Sequence, residues 1–316
     1  MEAVCKEIAK ETIKFGPGDE EKWRLLFEPL ITTGPANITV HRDQRYGPAS
    51  RNLLDVFVPP FPDPHKPVLL YIHGGGFTSG DKAWSPIVYS NVGFHFASRG
   101  IVTVVANHQL VPDVVYPGGA EDIQLIREWI YSDIADEKFG RGSPEKVVLF
   151  GHSSGGAHIA MNLYAAGDPE RPQRQALHPP VAGVIYLDCP FWMDTRKPGR
   201  QFSLGAYFGS FADEVWYPKG PLGLFERLPD HSPVLDSRKL PVFLGTVEWE
   251  VPETSEATMR FFNAYRKRSR PEGTLPLMRV FPGHNHLSCV LSVGTEDGSV
   301  SGPLEEFVLN CCRGEE

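Results

Sequence analysis

The feature that most narrows the fold of this chain is a series of short, almost wholly apolar runs. Val68-Leu69-Leu70-Tyr71-Ile72 is one, and Ile101 to Ala106, Val147 to Phe150, Val181 to Leu187 and Val242 to Leu244 repeat it. A strand with one wet face alternates apolar and polar residues, so unbroken apolar runs belong to strands covered on both faces. Leu53 to Val58 alternates loosely and stops at Pro59-Pro60, and Leu277 to Phe281 is a weaker final run. Between the runs the spacing turns helical. Ile123, Ile126 and Ile130 step by three and four, as do Ala257, Phe261, Ala264 and Tyr265, and then Leu304, Phe307, Val308 and Cys311. Strands alternating with helices predict an α/β fold: a mostly parallel sheet with helices on both faces.

Two segments break this rhythm. Residues 1 to about 45 precede the first clear strand and read as partly helical. Residues about 190 to 237 form a long insertion rich in aromatics, among them Phe191, Trp192, Phe202, Tyr207, Phe208, Phe211, Trp216 and Tyr217. Such an insertion is either a satellite core or a lid over a pocket. The lid is favoured because the segment follows a strand whose carboxyl end should face a site. No repeat and no linker cuts the chain, so residues 1–316 are read as one domain with an N-terminal cap segment and a lid.

Charge and cysteine usage exclude several classes of function. Lys and Arg number 31 against 39 Asp and Glu, for a net charge of −8. The one dense basic run, Arg266-Lys267-Arg268-Ser269-Arg270, sits at a predicted helix end, where it complements the helix dipole. A nucleic-acid or anionic-membrane partner is therefore not expected. The five cysteines show no CxxC spacing, which argues against a zinc site or a disulfide framework. No apolar window is long enough for a transmembrane helix, and the opening residues do not read as a signal peptide. The expected setting is the cytoplasm.

The chemistry concentrates in two glycine-rich turns. Gly151-His152-Ser153-Ser154-Gly155 fits G-x-S-x-G, directly follows the run Val147 to Phe150 and precedes a helix-compatible stretch. Strand, sharp turn and helix is the context that this motif requires, and it presents Ser153 at a helix N-terminus that favours developing negative charge. His73-Gly74-Gly75-Gly76-Phe77 follows the run Val68 to Ile72. Its glycines let the backbone approach a substrate with N–H groups turned inward. A tetrahedral oxyanion needs two or three such donors, and the candidates are the N–H groups of Gly75, Gly76 and Ser154. His73 reads as an anchor of the loop. Neither a Lys-Ser/Thr pair nor a G-x-G-x-x-G spacing makes the loop a phosphate cradle, and no cofactor is expected.

HGGGF followed some 75 residues on by GHSSGG resembles the α/β-hydrolase fold and, within it, the hormone-sensitive-lipase-like carboxylesterases. The similarity runs from about Leu53 to the C-terminus. Where that family carries a Tyr-Arg-Leu-Ala-Pro-Glu stretch and then a proline and an aspartate, this chain has Asn107 to Asp113, then Tyr116-Pro117 and Asp122. The partial match implies a divergent branch.

The resemblance implies a triad in the order serine, acid, histidine. The family's histidine follows a glycine by three residues, which points to His286 in Gly283-His284-Asn285-His286, with His284 as the runner-up. His284-x-His286 lacks a third ligand at metal-site spacing, so no metal is expected. The family's acid pattern, laid on Glu248-Trp249-Glu250-Val251-Pro252, puts Glu250 in the catalytic place and Glu248 in an accessory one. Glu248, Asp188 and Asp194 are the other candidates. Glutamate departs from the usual aspartate, but the role is to orient the histidine rather than to react.

The expected function is hydrolysis of a carboxylic ester through an acyl-enzyme, on a small substrate with apolar or aromatic groups. A secondary-metabolism esterase is one form of it. Phe77, Trp84 and Tyr116, placed after strand ends, and Phe208 and Trp216 from the insertion, are the candidate pocket residues. Arylformamide or amide hydrolysis, a binding module that keeps only the pocket, and a non-hydrolytic reaction on the same fold are the alternatives. Members of the fold often pair, so a homodimer is possible.

Overall fold

The apolar runs become the interior strands of one sheet. In the computed structural model, which describes residues 1–16, 18–32, 37–171 and 177–313, these strands are β3 (Lys66–Ile72), β4 (Val102–Ala106), β5 (Gly142–His152), β6 (Gly183–Leu187) and β7 (Val242–Trp249). β1 (Thr39–Arg45) and β2 (Leu53–Val58) lie at one edge and β8 (Leu277–Asn285) at the other, in the order β1-β2-β4-β3-β5-β6-β7-β8. β2 pairs antiparallel with β1 and with β4, and every pairing from β4 through β8 is parallel.

Successive side chains of a strand point to opposite faces, and the buried residues divide accordingly. Val68, Leu70 and Ile72 join one core, with Leu149, Val184 and Leu244. Leu69 and Tyr71 join the other, with Val148, Phe150, Ile185 and Phe243. On the first face pack α4 (Gly118–Asp133), α5 (Ser154–Leu163) and α9 (Pro252–Arg268), which carry the Ile123 and Phe261 stripes. The second face is covered by α1 (Glu2–Glu11), α2 (Asp19–Phe27), α3 (Ser90–Ser98), α10 (Ser288–Leu291) and α11 (Gly298–Cys312). This is the α/β layering that the sequence predicts. In the last helix it is Cys312 rather than Cys311 that is fully buried. Among the described residues no helix is long and apolar enough to cross a membrane.

The two irregular segments depart from expectation in different ways. Residues 1–45 hold α1 and α2 but also β1, an edge strand that the sequence reading missed. Thr39–Arg45 is polar and largely exposed, so it has no apolar periodicity to betray it. Pro17 and residues 33–36 of this segment lie outside the described residues. Residues 190–237 hold α6 (Pro198–Phe208), α7 (Asp213–Trp216) and α8 (Pro221–Glu226). Most of the insertion's aromatics continue the first core: Phe191, Tyr207, Phe208, Trp216 and Phe225 are buried in it. Phe202 and Phe211 are the exposed exceptions.

Candidate active site

Ser153 stands between the end of β5 and α5 with φ 50° and ψ −128°, a left-handed backbone that costs on the order of 1–3 kcal/mol for a residue with a side chain. Close packing enforces it. A Cβ on Gly155 would lie 2.3 Å from the Ile72 carbonyl oxygen at the end of β3, so only glycine lets the turn seat there. The Ser153 N–H donates to the Leu187 carbonyl at 2.9 Å, tying the turn to β6.

The histidine and the acid arrive from separate strand ends. The Ser153 hydroxyl donates to His286 Nε2 at 3.0 Å, and His286 Nδ1–H donates to Glu250 Oε2 at 2.8 Å. Glu250 follows β7 and accepts the Val251 N–H at 2.6 Å, just where α9 begins. Burial pushes its carboxyl up to about 7, against the pull of the Val251 N–H and of Asp188. Burial also lowers the His286 pKa, so a neutral ring able to accept a proton is its resting form. His152 supports the arrangement by donating its Nε2–H to the His286 carbonyl at 2.8 Å.

The other candidates take supporting places. Glu248 accepts the Gly283 N–H at 2.7 Å and so fixes the loop that carries His286. His284 is held between Ser288 and Ser299 and pairs with Asp297 at 3.2 Å, so both its ring nitrogens are engaged away from Ser153. Asp194 pairs with Arg196 at 2.7 Å at the surface. Asp188 lies beside Glu250, fully buried. Asp122 accepts the Gln109 N–H at 2.7 Å and joins α4 to the segment after β4.

Gly75 and Gly76 both have positive φ, 123° and 61°. A Cβ on Gly75 would sit 2.0 Å from the Ser79 carbonyl oxygen, so the loop closes only around glycine. The N–H groups of Gly75, Gly76 and Ser154 have no acceptor among the described residues. They are therefore free to donate to a ligand, and Ser154 is the first residue of α5. His73 is buried between the Gly74 carbonyl and Asn107, and burial lowers its pKa to about 4; it braces the loop as a neutral ring.

These groups open into a cavity of about 610 Å³, within the range of small-molecule sites. Phe77 and Trp84 line it, as the sequence suggests. Tyr116, Phe208 and Trp216 do not, which corrects their assignment as pocket residues. The Tyr116 hydroxyl donates to Asp168 at 2.8 Å, its ring stacks on Phe208 at 5.4 Å, and Trp216 is wholly buried with its Nε1–H on Asp213. They form the packed layer beneath the insertion rather than its cavity face.

That face comes from residues the sequence reading did not assign to the pocket, although it counted Phe202 among the insertion's aromatics. Lys197, Arg200 and Phe202 enter the wall from the start of α6. Buried Glu253 holds Lys197 Nζ and Arg200 Nε at 3.0 Å each, which pins α6 across to α9. Phe15 reaches the mouth from the N-terminal segment, its ring 5.6 Å from that of His286. The only sequence hint was one aromatic residue in a charged stretch beside Gly16.

Two buried groups have the composition of a metal site: His152, Asp188 and Cys289, and Asp188, Glu250 and His286. A cation in the second would need the His286 Nδ1 lone pair. The hydrogen bond to Glu250 already places a proton there, so the serine–histidine–glutamate line and a metal exclude each other.

Comparison with known proteins gives three kinds of match. The family model described as BD-FAE matches residues 54–172. Venom carboxylesterase-6 of Apis mellifera is 29% identical over 53% of this chain and 30% of its own length. Probable carboxylesterase 13 of Arabidopsis thaliana is 27% identical over 63% of this chain and 64% of its own. The chain thus spans less than two thirds of the curated relatives it matches. Among solved structures, esterase B from Lactobacillus Rhamnosis superposes with a TM-score of 0.70 at 15% identity, covering 98% of this chain and 96% of that one. The same esterase is also known inhibited by a tributyrin phosphonate.

Proposed function

We propose that this chain, which has the α/β-hydrolase fold, is a serine esterase that cleaves small carboxylic esters through an acyl-enzyme. The observation that carries the reading is the unbroken line from Ser153 through His286 to Glu250, 3.0 and 2.8 Å, opening at the end of the sheet into a cavity. In this reading His286 Nε2 takes the Ser153 proton as Oγ attacks the ester carbonyl. The N–H groups of Gly75, Gly76 and Ser154 receive the oxyanion. Glu250 holds the ring in the tautomer that leaves Nε2 free and stabilises the imidazolium that forms. His286 then returns the proton to the departing alkoxide, and a water molecule repeats the cycle on the acyl-serine.

The matched relatives support an ester as substrate. Short acyl chains fit both the cavity volume and the tributyrin phosphonate that inhibits esterase B. The aromatic faces of Phe15, Phe77, Trp84 and Phe202 favour apolar or aromatic groups beside charged Lys197 and Arg200. We read the chain as one hydrolase unit, with residues 1–45 as a cap and 190–237 as a lid on either side of the mouth. Five unpaired cysteines support a cytoplasmic setting.

The test is release of nitrophenol from nitrophenyl esters of increasing chain length, with Ser153→Ala in parallel. Turnover should favour short chains and fall by about 10³-fold or more in the variant. Equal rates in the two proteins would reject the reading and move attention to formamides or to plain binding.

A further inference from the structure

The line from Ser153 does not stop at Glu250. Asp188 follows β6 directly, at φ 49°, and is completely buried. A carboxyl oxygen of Asp188, one of Glu250 and a ring nitrogen of His286 lie within 4.8 Å of one another. Two carboxylates this close inside the protein cannot both stay ionised, so the pair retains a proton.

The donors around the pair decide which member holds it. Glu250 accepts His286 Nδ1–H and Val251 N–H and stands at the N-terminal end of α9, all of which favour its anion. Asp188 accepts only the Cys289 S–H, a weak donor, at 3.3 Å, and its Oδ1 has no partner among the described residues. Burial raises the Asp188 carboxyl well above the carboxylate range, and the Glu250 charge adds to the effect. Once protonated, Asp188 becomes a donor beside the one anion within reach.

We infer that Asp188 is a positioning residue of this site: it carries the proton of a carboxyl pair and donates it in a hydrogen bond to Glu250, keeping that carboxylate in line with His286. The inference rests on the triad reading given above.

Among the groups acting on Asp188, only His286 and the Cys289 S–H pull its carboxyl down, against the stronger effects of burial and of Glu250. Facing Asp188 are Glu250 from the start of α9, His286 from the loop after β8, Cys289 from α10 and His152 from the end of β5. His152 is neutral, its pKa lowered to about 3 by burial, and burial raises the thiols of Cys289 and neighbouring Cys189. Arg200 and Glu20 act on His286 from the cavity side with opposite signs. During catalysis the pair keeps one negative charge while His286 cycles between neutral and cationic.

The test combines infrared spectroscopy with pH profiles of ester hydrolysis for wild type, Asp188→Asn and Asp188→Ala. Asparagine tolerates the left-handed backbone and its amide still donates to Glu250. The expected result is a protonated-carboxyl band in the wild type that persists to about pH 8, far above an ordinary aspartate, and is lost in Asp188→Asn. Asp188→Asn should keep kcat/KM within about threefold and leave the acid limb unmoved, because a neutral group has replaced a neutral group. Asp188→Ala, with no donor, should lose about 10-fold or more in kcat with KM little changed. The inference is overturned if the wild type lacks the band, or if Asp188→Asn lowers the acid limb by about a pH unit, the sign of a lost negative charge beside His286. Should Asp188→Ala fail to fold, the first two measurements still decide. An inactive wild type would sink the esterase reading alone, since the infrared band needs no turnover.

Discussion

Two sets of histidines lie within a short distance of the same glycine loop, and in the proposed reading only one moves a proton. His73, His108 and His158 stack in a buried column, with ring centroids 4.7 and 4.5 Å apart. Burial lowers all three, to about 4 for His73, about 3 for His108 and well below the usual value for His158. No carboxylate touches this column, and His158 has no partner at either ring nitrogen among the described residues. His286 is also lowered by burial, but it has Glu250 on one nitrogen, Ser153 on the other and an open cavity beside it. Burial alone makes a histidine a neutral, rigid packing element. A partner that stabilises the imidazolium, and access to a reacting group, make it a base.

The comparison breaks first at His286. Replacing it by alanine should lower kcat on a nitrophenyl ester by about 10³-fold or more. A loss much smaller than that would mean the line through Glu250 is idle.

Acid sharpens it next. His73, His95, His108, His152 and His158 all have lowered pKa values in the folded chain, so the folded state keeps them neutral. In the unfolded chain they gain protons below about pH 6.5, the ordinary histidine value. Their contribution to stability is therefore complete above about 6.5 and is lost as pH falls toward 4, by up to about 1.4 kcal/mol per pH unit for each. Urea unfolding at about pH 7 and pH 5 should show a steep loss, and a flat response would show that these histidines take up protons as readily in the folded chain as in the unfolded one.

The smallest effect belongs to His158. Its ring packs edge-on against Phe77 at 5.0 Å and makes no hydrogen bond among the described residues. His158→Leu should leave ester turnover within a few-fold and remove one histidine's share, about 1.4 kcal/mol per pH unit, from the acid sensitivity. A variant as inactive as His286→Ala would erase the distinction between the two sets.

How much of this was legible in the sequence depended on whether the signal was local. The interior strands declared themselves because both faces are buried, and β1 stayed hidden because neither face is. Ser153 lies inside a motif whose flanking strand and helix are adjacent in sequence. Glu250 and His286 were named from a family pattern, and the structure brings them together across 36 residues. Asp188 was named only as an alternative acid, by its place after a strand, while Phe15, Lys197 and Arg200 have no local signature, since each reaches the site only through packing of distant segments. Tyr116, Phe208 and Trp216 show the opposite error. Aromatic character reveals that a residue will be covered, but not whether ligand or protein covers it.

One contact joins distant parts of the sequence beside this site. The Thr32 N–H donates to the Gly294 carbonyl at 2.9 Å, spanning 262 residues and tying the segment behind Phe15 to the turn beyond α10. On the ribosome, at about 5–20 residues per second, roughly 13–50 s separate the synthesis of its two ends. Through the second part of that interval, after residue 153 has been made, the Ser153 elbow can exist without its doorway. The bond that ties the segment behind Phe15 can form only once Gly294 has been made, some 141 residues after Ser153.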